Sequence, residues 1–180
     1  MNNKILNNKF YPIIFLTIIV FVSIFLLMLV NNITSEKIRL QEEEKILLML
    51  RNIFPDMSNY ELKDDIYIVY KDKETIGYAF IAVGKGYGGE INTFVGIDKD
   101  FTIKQITVIS NSETPGLGAK ITESFFTDQF KGLRSSDVKL NKDGGKIDAI
   151  TGATISSRAV TDSVRQELDK KIEIIKTKNY

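Results

Sequence analysis

The longest apolar run of the chain lies close to its N-terminus. Residues 10–30 carry no charged side chain, and as a helix they would be roughly 31 Å long, which matches the hydrocarbon core of a bilayer. The apolar region of a cleaved signal peptide is shorter and is followed by small residues, whereas Asn31 and Asn32 follow here. The pattern favours an uncleaved transmembrane helix over residues 10–31. Basic residues flank this run on both sides, so charge does not give its orientation.

A helical pattern continues or restarts after this span, over residues 35–54. Its apolar positions form one rough face, at Ile38, Ile46, Leu47, Leu50 and Ile53. Ser35 can cap such a helix, and Pro55 stops it. We assign residues 32–60 to a linker or stalk helix that also packs on the domain after it, and we assign this segment no chemistry.

From residue 65 onward the chain changes to short runs rich in aromatic and β-branched side chains. The runs 66–70 and 75–83 predict a hairpin, joined by the polar residues 71–74. Two further strands are predicted at 91–97 and 102–110, separated by a turn. These strands predict a sheet in which antiparallel pairing predominates.

Glycine marks two unusual loops. The first, residues 84–90, lacks the Lys-Ser/Thr ending of a P-loop and the spacing of a dinucleotide-binding fingerprint, so by itself it predicts a wide turn. The second, residues 111–120, contains Pro115-Gly116 and Gly118. Such a loop is expected to be shaped and rather rigid.

Two further elements are predicted before the C-terminal helix. Residues 123–130 have the pattern of a short amphipathic helix. Residues 136–150 predict a hairpin around the turn 141–145. This hairpin would lead the chain back to a cluster of hydroxyl side chains.

A C-terminal helix is predicted from four-residue spacing. Its apolar stripe consists of Val160, Val164, Leu168 and Ile172. Hydroxyl side chains crowd its start, at Thr151, Thr154, Ser156 and Ser157, around the small pair Gly152-Ala153. Unpaired amides at a helix N-terminus favour an anion such as phosphate. Taken singly, each of these hydroxyls is typical of an ordinary helix cap.

Composition narrows the possible chemistry. The 180 residues include no Cys and no His, which excludes disulfides, thiolate or imidazole metal sites and a Ser-His-Asp triad. Redox chemistry would therefore need an organic cofactor. The net charge of +1 without a basic block argues against nucleic acid as a partner. Beyond the apolar run the chain is long enough for one compact domain.

The stretch from Asp148 to Ser156 resembles a known modification motif. It matches Asp-x-x-(Ser/Thr)-Gly-Ala-Thr-x-(Ser/Thr), the flavinylation motif in which the Thr after Gly-Ala carries FMN through a phosphoester. In this chain that Thr is Thr154. With Gly86-Tyr-Gly-Gly89 and Glu113-Thr-Pro-Gly-Leu-Gly118 ahead of it, the chain closely resembles the G subunit of the Rnf ion-translocating electron-transport complex. It is similar, more loosely, to the C subunit of the sodium-pumping NADH:quinone oxidoreductase.

The resemblance implies an architecture and an orientation. The fold would be α+β: one N-terminal transmembrane helix, then a single FMN-binding domain over residues 61–180 with an antiparallel-rich sheet and flanking helices. Residues 1–9 would be cytoplasmic, and the domain would lie on the outer side of the cell membrane. A separate flavin transferase would attach one FMN per chain. Other partners would be the remaining subunits of the complex and membrane lipid.

The resemblance also implies a role for each matched residue. Thr154 would be esterified to the flavin phosphate, and Ser156 with the helix-start amides would hydrogen-bond that phosphate. Gly88 and Gly89 would allow close approach of the ribityl chain or ring, and Tyr87 would contact the flavin. Glu113 and Thr114 would lie near the ring edge and Leu117 against its apolar face. The remaining cofactor-binding residues implied are Asp148, Thr151, Gly152 and Ala153. No catalytic residue and no metal ligand are assigned.

The implied function is that of an electron carrier without catalytic turnover of its own. It would serve a membrane-bound complex that couples electron transfer of the ferredoxin/NAD type to ion translocation. One alternative is an FMN-binding carrier of another membrane redox chain, such as the quinone reductase type or a respiratory regulator. A second alternative is a membrane-tethered binding module in which the hydroxyl cluster is only a helix cap.

Overall fold

The computed structural model describes residues 10–178 and 180. The predicted cytoplasmic segment, residues 1–9, lies outside the described residues. Internal contacts divide the chain into two compact units, Met1–Leu48 and Met49–Tyr180. The predicted domain boundaries after residues 9, 31 and 60 stay predictions.

The first helix, α1, spans Tyr11–Ile53 without interruption. Within the described residues it contains one stretch, Pro12–Asn31, that is long and apolar enough by length and composition to cross a membrane. Because the helix continues instead of restarting, Ser35 lies inside it, and the predicted cap at Ser35 is wrong. The helix ends ahead of Pro55, as the sequence predicts.

A five-stranded antiparallel meander follows, in which each strand pairs with the next along the chain. The strands are β1 (Asn59–Lys63), β2 (Ile66–Lys71), β3 (Glu74–Lys85), β4 (Glu90–Asp98) and β5 (Ile103–Ser110). The four predicted strands are confirmed, and β1 is an additional edge strand that the sequence analysis missed. The wide turn predicted over residues 84–90 is wrong: β3 and β4 run on to Lys85 and Glu90 and are joined by a tight turn, in which the Gly86 amide donates to the Gly89 carbonyl at 2.8 Å.

The segment between β5 and the last helix is mostly irregular. The predicted helix at 123–130 is a single short turn, α2 (Ser124–Thr127), that continues as a 3-10 turn to Phe130. The predicted hairpin over residues 136–150 is wrong. The chain there forms 3-10 turns at Ser135–Asp137 and Asn141–Asp143.

Local turn bonds explain why no hairpin forms there. The amides of Asp143 and Gly145 donate to the Leu140 carbonyl at 2.8 and 3.0 Å. These donors are therefore satisfied locally and do not form a strand ladder. Among the described residues, an isolated parallel bridge between Leu140 and Ile147 is the only strand-like pairing in this segment.

The C-terminal helix, α3, spans Thr154–Lys178 and packs on one face of the sheet. Its predicted apolar stripe is confirmed, with Val160, Val164 and Leu168 fully buried and Ile172 packed against the same core. The helix crosses β3 at close contact, because a Cβ on Gly84 would lie 2.4 Å from the Ala159 carbonyl oxygen. The same core also contains large apolar side chains of the sheet and of the irregular segment. These are Ile66, Ile68, Phe80, Ile91, Val95, Ile97, Ile106, Phe126 and Phe130.

The end of α1 covers part of the opposite face of the sheet. A Cβ on Gly77 would lie 2.5 Å from the Phe54 ring, and one on Gly96 would lie 2.6 Å from Ile53. Both apolar side chains are buried. Together these layers give the α+β architecture that the sequence and its resemblance predict.

Candidate functional site

A cavity of about 420 Å³ opens at the N-terminal end of α3. Three segments far apart in the sequence form its walls: the turn between β3 and β4, the loop after β5 and the first turn of α3. The lining residues are Tyr87, Glu113, Thr114, Leu117, Gly118, Gly152, Ala153, Thr154, Ile155 and Ser156. The three sequence motifs therefore meet at one site, and the size is that of an ordinary small-molecule pocket.

The first turn of α3 offers unpaired donors to this cavity. Within residues 10–178 and 180, the backbone amides of Thr154, Ile155 and Ser156 have no hydrogen-bond acceptor. The first intrahelical amide of α3 that is paired belongs to Ser157, which donates to the Ala153 carbonyl at 3.0 Å. Free amides and the positive end of the helix dipole together form a site for an anion.

The hydroxyls of this turn differ in their partners. Ser157 is fully buried, donates to the Ala153 carbonyl and accepts from the Ile150 amide, both at 3.0 Å. Ser156 donates to Glu113 Oε2 at 2.6 Å. The Thr154 hydroxyl has no hydrogen-bond partner in the described part of the chain, and its side chain is half-buried at the cavity wall. Thr154 is therefore the hydroxyl of the first turn that is available to react.

Glu113 is a buried carboxylate at the floor of the cavity. Only 6% of the residue is exposed. Its Oε1 accepts from the Gly88 amide at 2.9 Å, and its Oε2 accepts from Ser156. Among the described residues it has no ion-pair partner. One side chain thus connects all three segments of the site.

The loop after β5 supplies an apolar wall. The Thr114 carbonyl accepts from the amides of Leu117 and Ala119, both at 3.2 Å, and this folds the loop into a compact turn. Leu117 is 46% exposed and lies over Gly152. The exposed side chains of Tyr87 and Ile155 complete the rim of the cavity.

Four predicted site residues do not line the cavity: Asp148, Thr151, Gly88 and Gly89. Asp148 accepts from the Asn141 side-chain amide at 2.6 Å, and its own amide donates to Gln129 Oε1 at 2.7 Å. It therefore holds the segment ahead of α3. Thr151 is exposed outside the lining.

The glycines of the β3–β4 turn also lie outside the lining. A Cβ on Gly88 would lie 2.0 Å from the Ser112 carbonyl oxygen, and one on Gly89 would lie 3.2 Å from the Ser112 Cβ. Their lack of a side chain lets the turn pack against the loop after β5. Ile155, in contrast, lines the cavity but was not predicted, because no sequence pattern distinguishes it from other exposed helix residues.

Comparison with known proteins identifies what this arrangement resembles. Residues 86–169 match the FMN-binding domain family. The chain is 35% identical over 171 residues to the G subunit of the ion-translocating oxidoreductase complex of Methanosarcina acetivorans, covering 87% of this chain and 91% of that protein. It is 34% identical over 161 residues to the G subunit of the proton-translocating ferredoxin:NAD(+) oxidoreductase complex of Clostridium ljungdahlii, covering 86% of this chain and 87% of that protein.

A solved structure resembles part of the chain. It is the C subunit of the Na(+)-translocating NADH-quinone reductase of Parabacteroides distasonis, with a TM-score of 0.47 and 25% sequence identity. The match covers 57% of this chain and 58% of that chain.

Proposed function

The chain belongs to the family of G subunits of ion-translocating oxidoreductase complexes, and we propose that it is the electron-carrier subunit that holds FMN covalently on Thr154. The observation that carries this proposal is that, within the described residues, the Thr154 hydroxyl and three amides at the start of α3 have no hydrogen-bond partner. Both features suit a phosphoester, which requires an oxygen that can bond to phosphorus and is stabilised by donors for the charge that remains on the phosphate.

The attachment is a group transfer without oxidation or reduction. A flavin transferase would supply FAD as the donor. The bond between Thr154 Oγ1 and the FMN phosphorus forms as the diphosphate bond of FAD breaks. AMP leaves with the bonding electron pair, and the hydroxyl proton passes to a base of the transferase or to solvent.

The amides of α3 would then bind the phosphate oxygens. The amides of Thr154, Ile155 and Ser156 have no competing acceptor in the described chain, and the positive end of the helix dipole adds to their attraction. The Ser156 hydroxyl has a single hydrogen, which it donates to Glu113. Ser156 would therefore contact the phosphate through its backbone amide and not through its hydroxyl.

The remaining lining suits a flat ring with a polar edge. Leu117, Ile155 and Tyr87 offer exposed apolar or aromatic surface at the rim. The Thr114 hydroxyl has no partner among the described residues and can bond to the edge of a ring. When bound, the flavin supplies electron transfer one electron at a time. The task of these residues is to hold the ring at a fixed place. Because the attachment is covalent, the flavin stays on the chain whatever the concentration of free FMN.

At the level of the complex, we propose that Pro12–Asn31 anchors the chain in the cell membrane with the domain on the outer side. The chain would carry electrons in a reaction of the ferredoxin/NAD type that is coupled to ion movement, as the name of the Clostridium relative states for that protein. The other subunits would be the partners. A carrier of the quinone reductase type is the alternative, and purification of the chain together with its partner subunits distinguishes the two.

Intact mass tests the attachment directly. The full chain is purified from cells with an active flavin transferase, beside Thr154→Ala and Thr154→Ser. The wild type is expected to be heavier by one FMN moiety, Thr154→Ala to have its bare mass, and Thr154→Ser to carry FMN because it keeps the hydroxyl. Bare mass for the wild type would refute covalent attachment. An FMN adduct on Thr154→Ala would refute Thr154 as the site.

A further inference from the structure

Glycines of two motifs surround the Glu113 carboxylate. A Cβ on Gly86 would lie 2.2 Å from Glu113 Oε1, and a Cβ on Gly118 would lie 2.5 Å from Glu113 Oε2. Real Cβ atoms do not approach oxygen so closely, so any other residue at either position would displace the carboxylate. The glycines at these two places therefore serve to admit Glu113.

Burial of this carboxylate is compensated by hydrogen bonds and not by an ion pair within the described residues. A buried carboxylate without a cation is unfavourable unless donors replace the lost water. In the described part of the chain each oxygen of Glu113 has one donor, the Gly88 amide for Oε1 and the Ser156 hydroxyl for Oε2. Ser156 lies in the first turn of α3, whose dipole also favours a negative charge nearby.

The bond to Ser156 has a geometric consequence for Thr154. Ser156 is 2% exposed and directed to the floor of the cavity, where it meets Glu113. Side chains two positions apart on a helix point in clearly different directions. Holding Ser156 at the floor therefore fixes the rotation of the first turn and leaves Thr154 at the wall.

We propose that Glu113 is a positioning residue for flavin attachment: by holding Ser156 and the Gly88 amide, it orients the first turn of α3 so that the Thr154 hydroxyl and the free amides face the incoming phosphate. The same bond keeps the Ser156 hydroxyl from competing with Thr154. This inference rests on the proposed attachment of FMN to Thr154.

The test measures the rate of flavin transfer to the purified full chain, with FAD and a flavin transferase, by intact mass against time. The variants are Glu113→Gln, Ser156→Ala and the double variant. Glu90→Gln is the matched control, because Glu90 is exposed at the start of β4 beside the same turn. Hydrogen exchange of the Gly88 amide in the chain without flavin is the second readout.

Both single variants are expected to slow transfer about tenfold, the effect of losing one charge-assisted hydrogen bond. The double variant should be no slower than either single variant, because both substitutions remove the same hydrogen bond, from Ser156 to Glu113. Ser156→Ala should leave the Gly88 amide protected from exchange, since the Glu113 carboxylate remains. Glu90→Gln should react at the wild-type rate.

The outcomes separate this proposal from the one on which it rests. A wild-type chain that takes up no FMN overturns both. A wild-type chain that is modified on Thr154, with Glu113→Gln or Ser156→Ala at the wild-type rate, overturns only the positioning role. Effects of the two substitutions that multiply in the double variant also overturn it. Ser156→Ala removes the same hydrogen bond without changing Glu113. The test therefore remains decisive even if the Glu113→Gln variant does not fold.

Discussion

Leu117 lies directly over Gly152, so that a Cβ on Gly152 would come within 3.0 Å of Leu117 Cδ1. Gly152 also has a φ of +79°, in the left-handed region that favours glycine. The loop after β5 and the segment before α3 are thus fitted to each other at a position where a side chain would disturb both. Leu117, which forms the apolar wall of the cavity, therefore packs against a residue that is only two positions before Thr154 in the sequence.

Gly152→Ala should therefore do more damage than backbone strain alone. Gly144 provides the matched control, because its φ is +80° and, its chain neighbours aside, no atom of the described residues lies within 4 Å of its Cβ position. Both variants should lose about 1–2 kcal/mol of unfolding free energy from the left-handed conformation. Only Gly152→Ala should lose more than this and also take up less FMN. Urea denaturation and intact mass measure the two effects, and equal losses in both variants would contradict the role of the Leu117 contact.

The two hydroxyls at the ends of the first α3 turn should separate stability from function. Ser157→Ala leaves the buried Ile150 amide without its acceptor, which should lower the unfolding free energy of the chain without flavin by about 1–3 kcal/mol. Thr154→Ala removes a hydroxyl that has no partner in the described chain and should change stability by less than about 0.5 kcal/mol. Chemical denaturation of chains made without a flavin transferase gives both values. A Thr154→Ala chain as unstable as Ser157→Ala would identify Thr154 as a helix cap.

The sequence predicts those elements whose residue pattern is specific to one kind of secondary structure. The spacing from Val160 to Ile172 indicates the face of α3 that packs on the sheet, and runs rich in aromatic and β-branched side chains indicate β2 to β5. The hairpin pattern misleads at residues 136–150. Val138 and Leu140 are both buried there, but they flank 3-10 turns and do not lie in hairpin strands, because a residue pattern does not specify where the backbone amides find acceptors.

The site is predictable in its parts but not in its connections. The motifs around Tyr87, Glu113 and Thr154 indicate which segments meet. No spacing rule predicts that Ser156 donates to a carboxylate 43 positions away. For the same reason the sequence assigns the Ser156 hydroxyl to the phosphate, whereas the structure pairs that hydroxyl with Glu113.

A buried hydroxyl in the sheet should be dispensable. Thr93 is fully buried, and its Oγ1 has no partner in the described chain. Thr93→Val should therefore leave the unfolding free energy unchanged or raise it by up to about 2 kcal/mol. Thr127 is the control, since its hydroxyl donates to the Glu123 carbonyl at 3.3 Å and Thr127→Val should be destabilising by about 1 kcal/mol. Destabilisation by Thr93→Val in urea would show that a buried water satisfies this hydroxyl.

The end of α3 should contribute stability that disappears in acid. Two hydrogen bonds, the more important from Lys178 and the other from Tyr180, hold the pKa of the Asp64 carboxyl below its ordinary value of 3.8. A carboxyl with a lowered folded-state pKa stabilises the fold above its unfolded-state pKa, and this contribution is lost as pH falls through the folded-state pKa. The difference in melting temperature between wild type and Asp64→Asn should thus be constant from about pH 7 to pH 5 and shrink progressively as the pH falls below the ordinary value of 3.8.

Lys178→Met tests the same ion pair from the other side. It should be less stable than wild type near neutral pH and equal to it in strong acid, and it should add little to Asp64→Asn in the double variant. A wild-type advantage that is as large at pH 3 as at pH 7 would contradict the assignment to the Asp64 carboxyl.

The last turn of α1 should be required for the stability of the domain. Two fragments with different starting residues test this. A chain that starts at Met49 keeps Leu50, Ile53 and Phe54, which are 0%, 5% and 1% exposed, and should unfold cooperatively without the apolar span. A chain that starts at the predicted boundary, residue 61, loses all three. Because each such side chain contributes about 1.5–3 kcal/mol on burial, the shorter fragment should lose at least about 4 kcal/mol of unfolding free energy.

Phe54→Ala in the longer fragment is the matched control for this last comparison. It removes only the ring that packs on Gly77 and should cost about 3–5 kcal/mol, the usual value for a buried Phe. Thermal melting by circular dichroism measures all three chains. If the fragment from residue 61 melts at the same temperature as the fragment from Met49, the α1 end is a stalk and not part of the core. If only the fragment from Met49 is stable, the domain begins inside the helix, because the side chains that cover Gly77 and Gly96 are carried by its last turn.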